Sequence, residues 1–310
     1  MNSRDSAPLD LTIAAVERDT GIGKDTLRVW ERRYGFPVPN RDAHGERNYP
    51  LEQVEKLRVI KRLMDQGHRP GRIVAQPLEA LQHLSRGEAT LQSSQAQLQD
   101  AGNDPLAMVI TLLQNQDDEG LRIHLLKALS QEGLQKFVTQ WVAPLTVRVG
   151  DAWARGDLAV HQEHLFTECV SRILRQAISA IPKGAAGQKP AVLLTTFPQE
   201  AHGLGLLMVE SVLSLKGCRC VSLGTQTPLR DIVQAAIALR VDVVGLSFSL
   251  NMNPNHIVDG LTELKLLLPE QIEIWVGGQA PVLRRRVVGS IRVIQDLAAI
   301  DAAVEAWCQR

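Results

Sequence analysis

A histidine flanked by a carboxylate and glycines is the group in this chain best suited to chemistry. It lies in the segment Glu200-Ala201-His202-Gly203-Leu204-Gly205, shortly after an apolar run at residues 191–197. A neutral imidazole nitrogen of His202 could bind a metal ion, and Glu200 could accept a hydrogen bond from the other ring nitrogen, which would make the ligand more basic. A second signature, Gly277-Gly278, follows a later apolar run. Glycines at both places would let a bulky ligand approach the backbone.

Strands of a parallel sheet must position these residues. From Pro190 onward, apolar runs of strand length alternate with stretches of helical period, which is typical of a doubly wound α/β domain. In a flavodoxin-like (Rossmann-type) strand order, ligands bind at the carboxyl ends of strands one, three and four, where the order reverses. The five predicted strands are residues 191–197, 220–223, 243–248, 272–276 and 291–294, and the loops at that edge are residues 198–205, 249–254 and 277–281.

This region, roughly the last 120 residues, resembles the cobalamin-binding domain shared by methionine synthase, the mutases and certain regulators. The pattern of that domain runs Asp/Glu-x-His-x-x-Gly, then Ser-x-Leu, then Gly-Gly. The matching residues here are Glu200, His202, Gly205, Ser247, Gly277 and Gly278, and Ser249 stands where the family usually has leucine.

The resemblance implies a role for each element of the pattern. His202 would be the lower axial ligand of cobalt, after the cofactor's own base has moved into a pocket lined by Ser247 and the Gly-Gly pair. Ser249 would affect the packing around the nucleotide tail. A surface histidine at a helix start would explain His-x-x-Gly alone, but it would not explain three elements in order at strand ends.

The composition describes an ordinary chain of 310 residues, 45% hydrophobic and 22% charged, with a formal net charge of zero. This length is enough for two or three domains. Residues 1–10 are polar and no apolar run reaches about 18 residues, so we expect neither export nor a membrane partner, and a cytoplasmic location. The four cysteines lack Cys-x-x-Cys spacing, which argues against a disulfide framework or a structural zinc site.

The amino-terminal third is locally basic, because residues 24–72 contain twelve Lys and Arg against seven Asp and Glu. The pattern predicts a helix at residues 12–20 with Thr12 as its cap, a tight turn at Gly21-Ile22-Gly23, and a second helix at residues 24–34. These elements make a helix-turn-helix, whose second helix enters the major groove of DNA by its first turns. The candidate contacts are Lys24, Thr26 and Arg28 to base edges or phosphates, and Arg32 and Arg33 to the DNA backbone.

Residues 37–49 contain two prolines, a glycine and several basic or histidine side chains, as expected of a β-wing laid along phosphates. The residues that carry a resemblance to a known family are Arg28-Val29-Trp30-Glu31-Arg32-Arg33-Tyr34-Gly35-Phe36, Pro39, Arg41, Gly45, Arg47 and Tyr49. They resemble the winged helix-turn-helix of the MerR family over residues 9–84. The resemblance implies phosphate contacts from Arg41 and Arg47, with Tyr49 completing the DNA-binding set where the wing leads into a helix at residues 51–67. Charges that merely solvate a helical face would explain the composition but not this order.

Between these two regions the sequence predicts a linker and a helical bundle. Residues 85–104 are rich in Gln, Ser, Ala and Gly. From residue 105 to 182 the hydrophobic period is helical throughout, so we expect four helices packed as a bundle. The predicted fold is therefore multidomain α and α/β. Its parts are a winged helix-turn-helix at residues 9–84, the linker at residues 85–104, a four-helix bundle at residues 105–182 and a doubly wound parallel sheet at residues 189–310.

Within the predicted bundle, Trp153 is followed by Glu163 and His164, and Gly156-Asp157 breaks the chain between them. The arrangement resembles that of the light-responsive, cobalamin-dependent repressors of the MerR type, in which this part of the bundle caps the upper face of the cofactor. The resemblance implies that Trp153 packs against the 5′-deoxyadenosyl group, that Glu163 helps to hold it, and that His164 takes the upper cobalt position once the group is lost. Taken alone, a bundle tryptophan is usually a core residue, and a Glu-His pair near a helix start is often a cap.

The whole chain most resembles the CarH/LitR group of adenosylcobalamin-dependent photoreceptor repressors. The resemblance implies a transcriptional regulator, not an enzyme, that binds double-stranded operator DNA in the dark as a homo-oligomer, a dimer or a tetramer. Light would remove the adenosyl group and release the DNA. Two alternatives stay open at this stage: a MerR-type regulator that answers another signal through a cobalamin-like domain, and a corrinoid carrier for methyl transfer.

Overall fold

The structure is a computed structural model that describes residues 10–42, 45–65, 68–87, 104–182, 190–250, 252–285 and 289–309. The chain divides into two units, one formed essentially by the residues before Asp104 and the other by those from Asp104 onward. The predicted linker lies almost wholly outside the described residues, so the domain boundaries stay predictions.

Two helices joined by a tight turn begin the first unit. Helix α1 is Ile13–Thr20, and the hydroxyl of Thr12 caps it by accepting a hydrogen bond from the Ala15 backbone N–H at 3.3 Å. The helix ends at Gly21, whose φ of 69° lies in the left-handed region that glycine adopts without strain. Helix α2 is Lys24–Tyr34. The predicted helix-turn-helix is confirmed.

Three short antiparallel strands accompany these helices. They are β1 (Leu11–Thr12), β2 (Asn40–Arg41) and β3 (Arg47–Tyr49), in the order β1-β3-β2. The hairpin of β2 and β3 forms the predicted wing. Helices α3 (Leu51–Asp65), α4 (Pro70–Ile73) and α5 (Leu78–Gly87) follow. The apolar faces of the helices are buried in one core, which includes Val16, Leu27, Trp30, Leu57 and Ile60.

A helical bundle begins the second unit. Its helices are α6 (Pro105–Gln114), α7 (Asp118–Lys136), α8 (Ala143–Arg155) and α9 (Val160–Ala180). A π-helical segment, Phe137–Val142, joins α7 directly to α8, and Gly133 with a φ of 76° breaks α7 near its end. Leucines and valines of all four helices are buried together, as the predicted bundle requires.

Five parallel strands follow the bundle. They are β4 (Ala191–Thr195), β5 (Arg219–Gly224), β6 (Val243–Phe248), β7 (Glu273–Gly278) and β8 (Arg292–Ile294). Their order, β5-β4-β6-β7-β8, is flavodoxin-like, which confirms the predicted sheet and its point of reversal. Strand β7 runs further than predicted, because Gly277 and Gly278 still pair with Ser247 and Phe248.

Helices cover both faces of the sheet. Helices α10 (Leu204–Leu215) and α13 (Ala299–Cys308) lie on the face that shares one hydrophobic core with the bundle. Helices α11 (Leu229–Ala238) and α12 (Pro254–Leu267) cover the opposite face, and the short 3-10 helix Pro281–Arg284 follows β7. Bundle and sheet are therefore joined by a continuous apolar core. Among the described helices, none combines the length and apolarity needed to traverse a bilayer.

Candidate functional site

Helix α2 carries the predicted DNA contacts on the side that faces away from its core. The side chains of Arg28, Arg32 and Arg33 are exposed, and those of Lys24 and Thr26 are half-buried. Two of these cations already have acidic partners. Arg28 Nη1 donates to Asp25 Oδ1 at 3.1 Å, and Lys24 Nζ lies 3.3 Å from Glu17 Oε2. Ion pairs this accessible to solvent are weak, so DNA phosphates can compete for both cations.

The wing places its two predicted phosphate contacts in different surroundings. Arg41 is exposed, and its Nη1 donates to Gly45 O at 3.1 Å across the hairpin. Arg47 is directed toward α2, where its Nε donates to Glu31 Oε2 at 2.8 Å. A DNA phosphate would have to replace this carboxylate to bind the guanidinium of Arg47.

The structure contradicts the predicted DNA contact of Tyr49. Its side chain is 0% exposed and lies in the core of the first unit. The hydroxyl is buried without a hydrogen-bond partner among the described residues, and burial raises its pKa. Strand β3 has three residues and turns this last one inward. Tyr49 is therefore a core residue that anchors the wing, not the DNA contact expected from the sequence.

His202 and Glu200 form the pair predicted from the sequence, in the loop between β4 and α10. Glu200 Oε1 lies 2.7 Å from His202 Nδ1 and also accepts the His202 backbone N–H at 3.0 Å. The Glu200 side chain is 1% exposed, whereas the His202 side chain is 63% exposed. Because the carboxylate holds Nδ1, a metal ion would be bound through Nε2.

Ser249 binds the other carboxylate oxygen of Glu200. The sequence pattern did not predict this contact. Glu200 Oε2 accepts the backbone N–H and the hydroxyl of Ser249, each at 2.8 Å. Burial by itself raises the pKa of the Glu200 carboxyl, but the hydrogen bonds from His202 and Ser249 outweigh it and lower the pKa to about 2. Glu200 is thus a buried carboxylate that stays ionised. The serine at the usual leucine position contributes directly to this.

Close contacts explain three glycines of the predicted signature. A Cβ at Gly205 would lie 2.7 Å from Ser247 Oγ, and a Cβ at Gly277 would lie 3.2 Å from Ile294 O. Gly278 has a φ of 112°, and a Cβ there would overlap the carbonyl oxygen of Phe248. These three glycines are therefore required by close contacts within the protein at the carboxyl edge of the sheet.

A cavity of about 480 Å³, here called the crevice, lies between the sheet and the bundle. Its lining includes the predicted residues Gly205, Ser247, Gly277 and Gly278. It also includes Trp275, two residues before Gly277 on β7. The bundle contributes Thr139, Ala143, Thr146 and Val147, which repeat at helical spacing along the π-helical segment and α8. A mostly apolar cleft with a few polar groups is typical of a cofactor site. The bundle side of the crevice was not predicted from the sequence, although the helical spacing of these residues was a usable signal.

Glu163 and His164 are adjacent on the first turn of α9, and their side chains meet. His164 Nδ1 lies 2.7 Å from Glu163 Oε2, and Thr167 Oγ1 donates to Glu163 Oε1 at 2.8 Å. The helix cap is a different residue, because Gln162 Oε1 accepts the Ala159 backbone N–H at 2.7 Å. The pair therefore does not serve as the side-chain cap of α9.

Trp153 lies near the end of α8, half-buried against the bundle core. The described lining of the crevice includes none of Trp153, Glu163 and His164. The structure thus brings Glu163 and His164 together and places Trp153 on the helix whose earlier turns line the crevice. Their roles toward a cofactor stay predictions.

Known proteins are similar to this chain in sequence and in fold. The MerR HTH family regulatory protein family matches residues 11–75, and two families described as B12 binding domain match residues 106–178 and 190–296. The HTH-type transcriptional repressor CarH of Myxococcus xanthus is 32% identical over 84% of this chain and 86% of its own length. The repressor CarA of the same organism is 32% identical over 77% of each chain. The solved monomethylamine corrinoid protein of Methanosarcina barkeri is 19% identical with a TM-score of 0.50, covers 64% of this chain and 96% of its own, and shares the fold.

The fold and the site define a class of protein, a transcriptional regulator that combines a MerR-type DNA-binding domain with B12-binding domains. The chain belongs to the family of HTH-type transcriptional repressors that includes CarH and CarA. These relatives, which cover most of the chain, are repressors and not enzymes. The corrinoid-carrier alternative is thereby set aside.

Proposed function

We propose that this regulator uses adenosylcobalamin as a light-sensing ligand, binding operator DNA in the dark and leaving it after light removes the adenosyl group. The observation that carries the proposal is the hydrogen-bonded chain of His202, Glu200 and Ser249. These residues are not in the described lining of the crevice themselves, but Gly205 and Ser247, close to them in the chain, are. When bound, adenosylcobalamin supplies a cobalt–carbon bond that visible light breaks.

On the sheet side, His202 would hold cobalt through Nε2. Glu200 fixes the orientation of the ring and makes its nitrogen a stronger donor, since the ionised carboxylate is 2.7 Å from Nδ1. Gly205, Gly277 and Gly278 line the crevice, so their backbone would contact the cofactor there. Ser247, together with the glycine pair, lines the crevice that would take the nucleotide tail.

On the bundle side, Trp153 would pack against the adenosyl group and Glu163 would help to hold it. Glu163 holds Nδ1 of His164, so Nε2 is the nitrogen that His164 would offer to cobalt after the adenosyl group is lost. The same 2.7 Å carboxylate–imidazole contact occurs in the Glu200–His202 pair. The side chain of His164 is 71% exposed, so its ring can move without breaking buried packing.

DNA binding and assembly would be coupled through the second unit. A homo-oligomer, a dimer or a tetramer, would present several helix-turn-helix units to one operator, and their phosphate contacts would multiply the affinity. Bundle and sheet both line the crevice, so a ligand there touches both. A ligand that binds one arrangement of bundle and sheet more tightly than another would favour that arrangement. It would thereby favour the oligomer that this arrangement forms.

Three measurements on one sample test this function: the visible absorption spectrum, size-exclusion chromatography and operator binding, each in darkness and after green light. We expect an oligomer with tight operator binding in darkness, and a smaller species with weak binding after illumination. A protein that keeps one oligomeric state and one DNA affinity in both conditions would contradict the photoreceptor function. A regulator that answers another signal through the same domain would then be the better account.

A further inference from the structure

The crevice has a floor formed by Trp275. Along β7, Trp275 and Gly277 both line the crevice, because residues two apart in a strand point to the same face of the sheet. Gly277 pairs with Ser247, and Trp275 pairs with Gly245. At the rise of a strand, Trp275 lies roughly 7 Å further from the carboxyl edge than Gly277.

The surroundings of Trp275 in the crevice are apolar. Leu194 leans over Gly245, where a Cβ would lie 2.7 Å from Leu194 Cδ2. Val192, Val209 and Leu213 complete the deep part of the lining. The polar side chains of the lining lie elsewhere in the chain: Thr139 and Thr146 belong to the bundle, and Ser247, Gln279, Gln295 and Asp296 lie at or just after the carboxyl ends of their strands. A group beside Trp275 therefore meets mainly hydrocarbon and the indole ring.

Charged residues hold the indole of Trp275 in place. Its Nε1 donates to Glu273 Oε2 at 2.9 Å, and Arg292 Cζ lies 5.9 Å from the centroid of the ring. Arg292 Nε is 3.9 Å from the same oxygen of Glu273 and is buried without a hydrogen-bond partner among the described residues. The described lining of the crevice includes neither Glu273 nor Arg292. The indole thus separates the crevice from two charged groups, and its one polar atom is already bonded.

We propose that Trp275 selects the base at the end of the nucleotide tail of the bound corrinoid. This rests on the proposed function, because it requires the tail to enter the crevice. The dimethylated benzene edge of dimethylbenzimidazole is apolar and would contact the floor without placing a polar atom against it, because the ring nitrogen released from cobalt lies at the opposite end of the base. An adenine base would bury an amino group against a floor that offers no acceptor, and an unpaired buried donor weakens binding by about tenfold or more.

Dissociation constants of three corrinoids test the proposal, measured by absorption titration of the full chain in darkness. The three are cobalamin, the same corrinoid with adenine as its base, and cobinamide, which has no base. We expect the wild type to bind cobalamin at least about tenfold more tightly than the adenine form. In Trp275→Ala the ratio should fall to about twofold or less, because the floor opens onto Glu273 and Arg292, which can pair with the purine. Cobinamide should bind both proteins equally.

Two further variants control for the loss of an aromatic ring from the core. Trp275→Phe keeps an aromatic floor, and Trp307→Phe alters an indole that packs against the same core without lining the crevice. Both should retain the wild-type preference. Should Trp275→Ala fail to fold, Trp275→Gln replaces it, and a lower ratio of dissociation constants than in the wild type is expected, because its amide oxygen gives the amino group of adenine an acceptor.

The possible outcomes separate the two proposals. The deciding quantity is the dissociation constant of the adenine form divided by that of cobalamin. A value near one in the wild type overturns the selection by Trp275, and so does an unchanged value in a folded Trp275→Ala protein. A wild type that binds none of the three corrinoids contradicts the proposed function itself. A wild type that binds all three equally leaves the proposed function intact and removes only the role of the floor.

Discussion

Glu200 joins the separate parts of the candidate cobalt site. Its buried carboxylate joins the loop after β4 to the end of β6, because it accepts hydrogen bonds from both His202 and Ser249. Removing the charge would leave buried donors unpaired, which is more costly than losing an exposed contact. We therefore expect graded effects from substitutions along this chain of contacts.

Replacing His202 by alanine should weaken cobalamin binding and abolish the spectral signature of histidine ligation, because the ligand nitrogen is gone. Glu200→Gln should be milder, with a loss of affinity on the order of 10-fold, since it changes only the partner of the ligand. The matched control is His256→Ala, because His256 contacts Gln199 in the same loop without touching Glu200. Absorption titration measures all three. A His202→Ala protein with undiminished, spectrally unchanged cofactor would refute the ligand assignment.

The contact between Gly205 and Ser247 offers a second test at the same scale. Gly205→Ala should lower cobalamin affinity, because its Cβ would lie 2.7 Å from Ser247 Oγ and force the serine toward the crevice. Adding Ser247→Ala should restore part of the affinity, since the Ser247 Cβ would lie at an acceptable 3.7 Å. Titrations of the single and double variants decide the point. Equal affinities in Gly205→Ala and the wild type would mean that the crevice is not used.

Some of these residues could be predicted and others could not, for identifiable reasons. His202 and Glu200 are two positions apart, so their proximity follows from local chain geometry. Ser249 meets Glu200 only because two strand ends lie side by side, and no local pattern encodes which donor faces which acceptor. Tyr49 was misassigned because a hydroxyl-bearing aromatic residue in a basic wing is equally compatible with DNA contact and with burial.

At the scale of secondary-structure elements, the Arg47–Glu31 ion pair joins the wing to α2. This contact means that Arg47 must exchange a carboxylate for a phosphate when DNA binds. Arg28, on the exposed side of α2, has only a solvent-exposed partner. The two arginines should therefore contribute differently to DNA recognition.

Salt titrations on operator and random DNA should distinguish these arginines. Arg47→Ala should weaken binding to both DNAs alike and lower the salt slope by roughly one, whereas Arg28→Ala should relax base preference by about 1 to 3 kcal/mol. Glu31→Gln should strengthen binding, because it removes the competitor for Arg47. Arg230→Ala, an exposed cation on α11, serves as the control and should change nothing. An unchanged salt slope for Arg47→Ala would contradict the assignment of Arg47 as a phosphate contact. All of these variants should carry the same amount of cofactor.

The start of α6 predicts a pH-dependent contribution to stability. Asp104 Oδ1 caps the helix by accepting the Leu106 N–H at 2.9 Å, and Oδ2 pairs with Arg148 Nη1 on α8 at 2.6 Å. The hydrogen bond from Arg148 holds the pKa of Asp104 below its usual value. The stabilisation is therefore complete above the usual pKa of aspartate and is lost as the pH falls through the lowered one.

Substitutions at Asp104 separate its two contributions. Asp104→Ala should lower the free energy of unfolding by about 1 kcal/mol through loss of the cap. Asp104→Asn keeps the cap, so it should lose only the acid-sensitive part contributed by the pair with Arg148. Thermal unfolding at neutral and acidic pH measures both effects. A wild type and an Asp104→Asn protein with the same pH dependence would contradict this account.

The elements themselves were largely predictable. Long apolar runs and helical periods identify the five strands and the four bundle helices because burial imposes them directly. The π-helical segment Phe137–Val142 was not foreseen, since its apolar residues fit an ordinary helical period equally well. The crevice was not foreseen either, because it arises only where bundle and sheet pack against each other.

At the scale of the whole molecule, the proposed light sensing should depend on the bundle side of the site. Trp153→Ala should leave a gap beside the adenosyl group, so the dark assembly should no longer distinguish adenosylcobalamin from corrinoids with small upper ligands. His164→Ala should still lose the adenosyl group and disassemble in light, but its lit product should hold the corrinoid less firmly. Size-exclusion chromatography before and after illumination measures both.

His161→Ala is the matched control for the bundle variants, because His161 is an exposed histidine on the same turn of α9. It should behave as the wild type in darkness and in light. Should Trp153→Ala keep full selectivity, the adenosyl group would have to be recognised elsewhere in the protein.

Under the proposed function, the apolar core shared by bundle and sheet would also affect how readily the protein recovers after illumination. Separating the two layers would expose buried leucines and valines to water, at about 25 cal/mol for each Å² of apolar surface. If exchange of a spent corrinoid for a fresh one required that separation, this cost would oppose it. Recovery of operator binding in darkness would then be limited by cofactor exchange and not by the photochemistry.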